Sequence, residues 1–575
     1  PLAQRLSATM PRYFVVVDTF AARAMPMSLI TRLVSFLQPR YERHPVAMPA
    51  VLLALWLCLA VGWRSLGMPD EGRYSVIALD MALHNQWLEP LLNGLPFFHK
   101  PPLFYWINGL ALKLFGTSCW AARTSSVLIG WMGGMGLYLF VRQHISHKLA
   151  WVSLLLLATM PFFFGGAQFA NLDMLVGMLI ALTVLAGAHA VMQQALGLPH
   201  KGWVWLTWVF AALGILAKGL IGAALPAAVL LLWLLWQRHW RGLWVLLLSL
   251  PGAVLFALIA VPWVVLVQQR YPGFAYYFFI EQQFHRFSGG EFNNQQGWWF
   301  YPALLFGMGL PTSVWLLPAL WRNMRGNGQG LGAQSMQGRL KQMGRVLPVA
   351  SPASALRLLW CWLGFVVVFF SIPTSKTVGY ILPAVPPLAV LFALCLQTAQ
   401  GLWPIKRLAG MALGGAALCL TLTGIFTAIP RSSIYSVVPS MRAAIAPQDT
   451  IVMIDNFQFD MPFYLSWHKP VLLVADWDNP VHRQSDGWRN YMLDAADFSP
   501  KAAEQIMIRN EHLPAHLCAT APAGSSVWVL APQWYGDKLP YLLPEQLFWT
   551  QPKRPGGLQM WRVQGAQARA LLGCK

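Results

Sequence analysis

The sequence predicts an all-α polytopic membrane bundle followed by a soluble α/β domain, and three observations carry that reading. First, 57% of the 575 residues are hydrophobic and only 11% are charged, with a mean hydropathy of +0.49. That balance excludes an ordinary water-soluble enzyme and a disordered chain. Second, the apolar residues fall into long runs, and a hydrocarbon core about 30 Å thick needs about twenty helical residues to cross. Third, the pattern changes near residue 430. Residues 430–575 hold 13 Lys+Arg and 12 Asp+Glu, punctuated by turn signals such as Ala446-Pro447-Gln448-Asp449 and Pro555-Gly556-Gly557.

Runs of about spanning length lie near 46–66, 121–141, 149–167, 172–192, 203–218, 220–236, 243–267, 299–320, 356–373, 378–398 and 408–429. They predict a bundle of about 11–13 transmembrane helices, the range reflecting where a run is split. The chain then divides into an N-terminal cytoplasmic arm (1–45), a membrane domain (46–430) and a soluble domain (431–575). The arm carries Arg5, Arg12, Arg23, Arg32, Arg40 and Arg43 but no run long enough to span, and no cleavable leader is expected in it. Pro101–Gly116 is too short to cross; Pro101-Pro102 at its start and Lys113 near its end suit a helix lying in the interface. In the soluble domain, Thr450–Ile454, Pro470–Val474, Ser526–Leu530 and Leu558–Val563 read as strands, alternating with helices such as Phe459–Ser466. The loop 321–355, rich in Gly and Gln, reads as a connector.

Orientation follows from charge, because Lys and Arg collect in loops left in the cytoplasm. With the arm inside, the inner loops hold Arg142, Lys148, Lys201, Arg238, Arg241, Lys406, Arg407 and the basic residues of 321–355, and no acid. The acids of the membrane domain, Asp70, Glu71, Asp80, Glu89, Asp173, Glu281 and Glu291, all fall outside, on the side of the soluble domain. The net charge of +20 then reflects basic loops against anionic membrane lipids, and no nucleic-acid partner is expected. Of seven cysteines none forms a CxxC pair; Cys518 and Cys574 can pair if their domain is oxidised.

Chemistry is therefore sought at the outer interface. Gly67-Met68-Pro69-Asp70-Glu71-Gly72-Arg73-Tyr74 follows the first run directly, which sets two carboxylates and a guanidinium at the membrane surface. An ordinary helix start, with Asp70 as N-cap and Glu71 in the first turn, fits the same residues. Phe98-His99-Lys100-Pro101-Pro102-Leu103 places an imidazole and an amine before a rigid Pro-Pro entry, where Lys100 either grips a lipid phosphate or simply snorkels. Asn171-Leu172-Asp173 lies between the third and fourth runs; an ionisable group at the edge of an apolar bundle is a functional candidate, although both polar residues can also cap the next helix. Lys218 and Lys376 sit at outer ends against the positive-inside bias, and a phosphate or anionic lipid would account for them. The stretch Glu281–Trp299, with Glu281, His285, Arg286 and Glu291, reads as a movable flap or an aromatic-edged connector. No Walker, GxGxxG or HExxH pattern is present.

In order and spacing, Asp70-Glu71 with Arg73, Phe98-His99-Lys100-Pro101-Pro102-Leu103 and Asn171-Leu172-Asp173 resemble the motifs of GT-C membrane glycosyltransferases. Within them the chain looks most like the bacterial lipid A aminoarabinose transferases, a group allied to the protein O-mannosyltransferases. The resemblance covers about 46–430, including Lys376 and Tyr380, and only the architecture beyond. It implies a pentosyltransferase of the bacterial inner membrane that moves 4-amino-4-deoxy-L-arabinose from undecaprenyl phosphate to lipid A phosphate at the periplasmic face, giving resistance to polymyxin. By similarity Asp70 and Asp173 are catalytic, and Glu71, Arg73, Lys100, Lys218, Lys376 and Tyr380 bind substrate. No cofactor is required by this reading, but His99, which stands where many relatives have Glu, would pair with Glu281 if a divalent metal binds. The partners are the lipid-linked donor, lipid A and membrane lipids, and the unit is a monomer. A polyprenyl-phosphate glycosyltransferase acting on protein hydroxyls or glycans is the alternative enzyme, and a lipid-linked sugar transporter the alternative without chemistry.

Overall fold

A computed structural model describes residues 43–285, 295–315, 348–398, 401–402, 404–429, 433–521, 524–536, 538–539, 542–551, 557–564, 570 and 573–574. The arm up to residue 42, most of the 321–355 loop, Arg286 and Glu291 lie outside the described residues, as does the side chain of His285. Contacts divide the chain into Pro1–Met48 and a unit Pro49–Lys575 that holds both the helices and the sheet.

Among the described residues six helices are long and apolar enough to cross a membrane: Ala121–His144, Leu172–Ala195, Leu250–Arg270, Pro352–Ser371, Val378–Cys395 and Ile405–Ala428. A seventh is added if His147–Thr159 and Pro161–Ala167, bent by 65°, form one span. By length and composition the described residues thus give fewer spans than the expected 11–13, and the causes are local. Met160 is extended and Pro161 opens the next helix, since proline cannot donate the N–H that would continue the first. The 243–267 run divides into Trp240–Leu247 and Leu250–Arg270, the second capped by Ser249 Oγ accepting from the Gly252 amide at 3.3 Å. Ala47–Cys58, Ile221–Trp236 and Phe300–Met308 are shorter than a span. Leu172–Ala195 is buried along its whole apolar length, which makes it the central post of the bundle, and Asp173 stands in its first turn.

The stretch 67–120 holds two short helices, the expected one after Pro101-Pro102 and one that begins at Asp70. Asp70–His84 begins with two acids in its first turn and ends at Asn85 in the left-handed conformation, φ 53°, so both ends complement the helix dipole and its unpaired groups. Leu103–Phe115, 13 residues long, follows the Pro-Pro entry. Between them Leu91–Leu92 and Leu95–Pro96 pair as a short ribbon.

The C-terminal region carries a six-stranded sheet in the order Met507–Ile508, Leu472–Val474, Thr450–Ile454, Val527–Pro532, Leu558–Val563, Leu547–Thr550. The first four are parallel and the last two join antiparallel. Val527–Pro532 is buried at every position, as expected of a strand covered on both faces. Cys518 and Cys574 form a disulfide, with Cα atoms 5.4 Å apart. The domain is tied to the outer loop by directional bonds: Tyr464 hydroxyl accepts from the Leu66 amide at 2.7 Å, and Asn93 exchanges two bonds with the Val471 backbone at 2.7 and 2.8 Å. Helix Asp70–His84 packs so closely here that a Cβ at Gly72 would lie 2.5 Å from Met68 Sδ and 3.2 Å from the Asp460 amide. Only glycine permits that approach.

Candidate active site

Asp70 and Glu71 are neighbours in one helix turn with opposite surroundings. The Asp70 side chain is 45% exposed and accepts one bond, from Arg73 Nη2 at 2.7 Å. Glu71 is fully buried. It accepts from Arg123 Nε at 2.9 Å and Nη2 at 3.2 Å, from Arg64 Nη1, and from the amides of Gly67 at 2.6 Å and Ala170 at 2.7 Å. Burial alone would push this carboxyl up, but Arg123 and then Arg64 outweigh it and hold the pKa down at about 2. Expected to bind substrate, Glu71 has no oxygen turned outward; it locks the loop 64–71 to the loop 168–171, where Arg64 Nη2 also donates to the Gln168 carbonyl at 2.7 Å. Arg64 and Arg123 were not singled out from the sequence.

Arg73 is nearly buried and boxed by aromatics, its guanidinium carbon 4.3 Å from the Tyr491 ring, 4.9 Å from Tyr74 and 5.9 Å from Phe97. Its Nε has no hydrogen-bond partner. His99 stacks on Phe97 with centroids 4.5 Å apart and places Nε2 3.1 Å from Asp494 Oδ2. Tyr277 hydroxyl donates to the same carboxylate at 3.0 Å. Tyr491 and Asp494 belong to helix Trp488–Phe498 of the C-terminal domain, a contribution that the sequence reading missed. Lys100 follows this cluster and is half-buried. Glu281 is exposed on the segment Tyr277–His285, and no group of three or more His, Cys, Asp and Glu able to hold a metal occurs among the described residues. The His99 imidazole faces Asp494 and an aromatic wall formed by Phe97, Tyr277 and Tyr491.

A second cluster gathers around Asp173. Asn171 is the N-cap of its helix and accepts from the Asp173 amide at 3.2 Å. The Asp173 carboxylate pairs with Lys218 at the end of helix Lys201–Lys218, and Lys218 Nζ lies 4.2 Å from the Tyr380 ring centroid. Three expected residues thus meet. Gly379 presses against them: a Cβ there would sit 1.9 Å from Asp173 Oδ2. Lys376 is engaged elsewhere: its buried amine donates to the backbone carbonyls of Gln296, at 2.8 Å, and Pro373.

Asp70, Asp173, Arg64 and Asn171 line the polar part of one cavity of about 560 Å³, whose remaining wall is apolar, with Phe162, Leu382, Leu422 and Phe426 among its residues. Acids from segments a hundred residues apart in the chain therefore share one chamber, open to a lining suited to hydrocarbon.

A family model described as dolichyl-phosphate-mannose-protein mannosyltransferase matches residues 46–278. An undecaprenyl phosphate-alpha-4-amino-4-deoxy-L-arabinose arabinosyl transferase of Pseudomonas fluorescens (strain Pf0-1) is 30% identical over 387 residues, 67% of this chain and 64% of that protein. The enzyme of the same name from Erwinia tasmaniensis is 29% identical over 356 residues, 62% of this chain and 59% of its own length. The alignments thus span somewhat less than two thirds of these relatives. Among solved structures, ArnT from Cupriavidus metallidurans bound to undecaprenyl phosphate superposes with a TM-score of 0.71 at 22% identity, covering 90% of this chain and 97% of that one. The family resemblance is borne out: the chain is a multi-pass membrane homologue of the undecaprenyl phosphate-aminoarabinose arabinosyltransferases and has the GT-C fold of ArnT.

Proposed function

We propose that the chain transfers 4-amino-4-deoxy-L-arabinose from undecaprenyl phosphate to a phosphate of lipid A at the periplasmic face of the bacterial inner membrane. The observation that carries this is the shared chamber: Asp70 and Asp173 meet at the polar end of a cavity with an apolar wall, as a lipid-borne substrate with a charged reacting end requires. The names of the relatives supply the sugar and the carrier. The acid-free inner loops support an outward-facing site. All the groups invoked come from one chain, as a monomeric unit requires.

In this mechanism the bond between the anomeric carbon and the carrier phosphate oxygen breaks as an acceptor phosphate oxygen bonds the same carbon from the opposite face. The carrier phosphate leaves with the electron pair. Arg73 and Lys100 stabilise that departing anion, with Arg73 Nε as a free donor held in place by its aromatic box. Asp70, exposed and singly paired, receives the ammonium of the sugar or orients the acceptor, and Asp173, held by Lys218, supports positive charge building on the sugar ring. Tyr380 supports Lys218 through its ring, and Lys376 anchors the backbone just before the lining residues Thr377, Val378 and Gly379, while Glu71 positions Asp70 without touching substrate. An anionic acceptor phosphate needs no strong base, no step uses a metal, and single displacement inverts the anomeric centre; a product of retained configuration would refute it. The cationic sugar lowers the negative charge of lipid A and with it the affinity for polymyxin.

The test is mass spectrometry of lipid A from a transferase-deficient bacterium supplied with the wild-type chain or Asp70→Asn. Aminoarabinose on lipid A with the wild type alone is the expected result. Unmodified lipid A, with folded protein and donor present, would move the assignment to an acceptor bearing hydroxyls, the activity that the matched mannosyltransferase model describes.

A further inference from the structure

We propose that the C-terminal domain holds the sugar headgroup of the acceptor, in the crevice at the carboxyl ends of its parallel strands. The inference rests on the reading of the chain as a transferase with a glycolipid acceptor and adds a subsite to it.

Sheet order gives the location. From Thr450–Ile454 the chain builds Leu472–Val474 and then Met507–Ile508 on one side, and returns to lay Val527–Pro532 on the other. In open parallel sheets the crevice outside the carboxyl ends, at such a reversal, is where ligands bind. Asp455 emerges there with φ 48°, an uncommon conformation for a non-glycine residue. Its carboxylate spans the reversal, accepting from Arg489 Nη2 at 2.8 Å and from the hydroxyl of Tyr535, which follows Val527–Pro532.

The side chains give the chemistry. Asn456 Nδ2 and Arg489 Nε are covered and have no hydrogen-bond partner, an arrangement that costs stability and calls for a purpose. Arg489 is 27% exposed, so a ligand can reach its side chain. Trp534, beside Tyr535, is 51% exposed. A carboxylate acceptor, amide and guanidinium donors and an open indole match the hydroxyls and the apolar face of a sugar ring. A nucleotide fits less well, because Asp455-Asn456-Phe457-Gln458-Phe459-Asp460 lacks the glycines that let backbone amides approach a pyrophosphate.

Position links this crevice to the chemistry. Arg489 and Tyr491 lie two residues apart on one helix and point to different faces of it, so the turn that carries Arg489 onto Asp455 carries Tyr491 onto Arg73. The segment leaving Asp455 reaches the same helix turn as Asp70, where Phe459 abuts Gly72. A glycolipid seated with its sugar in the crevice would present its phosphate toward Arg73 and Asp70.

The full-length chain in detergent would be titrated calorimetrically with the deacylated headgroup of lipid A, as wild type, Arg489→Ala and Trp534→Ala. Affinity is expected to fall about tenfold in each variant. In transfer assays KM for lipid A should rise by a similar factor at unchanged kcat, while KM for a sugar-free lipid phosphate stays the same. Trp534 is exposed, so Trp534→Ala keeps the test open if Arg489→Ala misfolds. Wild type that fails to bind the headgroup, or folded variants with unchanged affinity and KM, would overturn the proposal. Headgroup binding that the variants lose, in a protein that transfers nothing to lipid A, would keep the subsite and overturn the transfer reaction instead.

Discussion

The pocket around Glu71 and the chamber mouth around Asp70 and Asp173 are built from the same residue types, acids facing arginine or lysine, yet they are finished differently. At Glu71 five donors converge on a carboxylate with no exposure. At the mouth, Asp70 keeps one partner and is 45% exposed, and Asp173 has one cationic partner at 12% exposure. A saturated charge holds loops in place, whereas an unsaturated one at a cavity is free to meet a substrate. Two adjacent residues, 70 and 71, thus divide the work of chemistry and scaffold.

The comparison breaks most sharply at Glu71. Glu71→Ala strands two arginines against a buried wall and should cost about 3–5 kcal/mol, read as a lowered thermal or denaturant midpoint in detergent; a midpoint within about 0.5 kcal/mol of wild type would show the lock to be ornamental. Asp70→Asn should do the reverse. Transfer falls about a hundredfold or more while stability changes by less than about 1 kcal/mol, and equal losses of both would erase the distinction.

A pH titration of stability sharpens the contrast. The folded pKa of Glu71, about 2, lies below its ordinary 4.5, so its contribution is fully present above about pH 4.5 and is lost as pH falls from there towards 2. Glu71→Gln should flatten that limb of the curve, and a limb as steep as that of wild type would remove Glu71 as its source. The smallest effect belongs to an exposed pair: Arg483→Ala, which removes bonds to Asp497 at 2.8 and 2.9 Å where both side chains are half-exposed or more, should cost about 0.5 kcal/mol or less.

Much of this was legible in the sequence where the signal is local. Thr450–Ile454 and Leu558–Val563 form strands at the expected residues, and Leu103–Phe115 forms the expected short helix, because apolar period, proline entry and turn residues all act within a few positions. Asp173 and Lys218 were legible separately, as ionisable residues at one end of the bundle, while Tyr380 entered only through the family resemblance. What sequence order hid is pairing across distance. Arg123 stands 52 residues from Glu71, and no period or motif links them. Arg64 lies at the end of the first apolar run, where a cation reads as an interfacial anchor. Tyr491 and Asp494 come from a domain read only as architecture, and the break at Pro161 turns on one missing N–H inside a run that hydropathy alone reads as continuous.

The close seating of Gly379 against Asp173 has a consequence for reading natural variation. Position 379 has no functional group, yet any side chain there must displace a carboxylate before it meets anything else. Variation at this site would be recorded as a fault of charge rather than of size: Gly379→Ala should behave in activity like a mutant of Asp173. A survey of variants that scores residues by their own chemistry would overlook it, although the single hydrogen at this backbone position is what leaves the second acid its room.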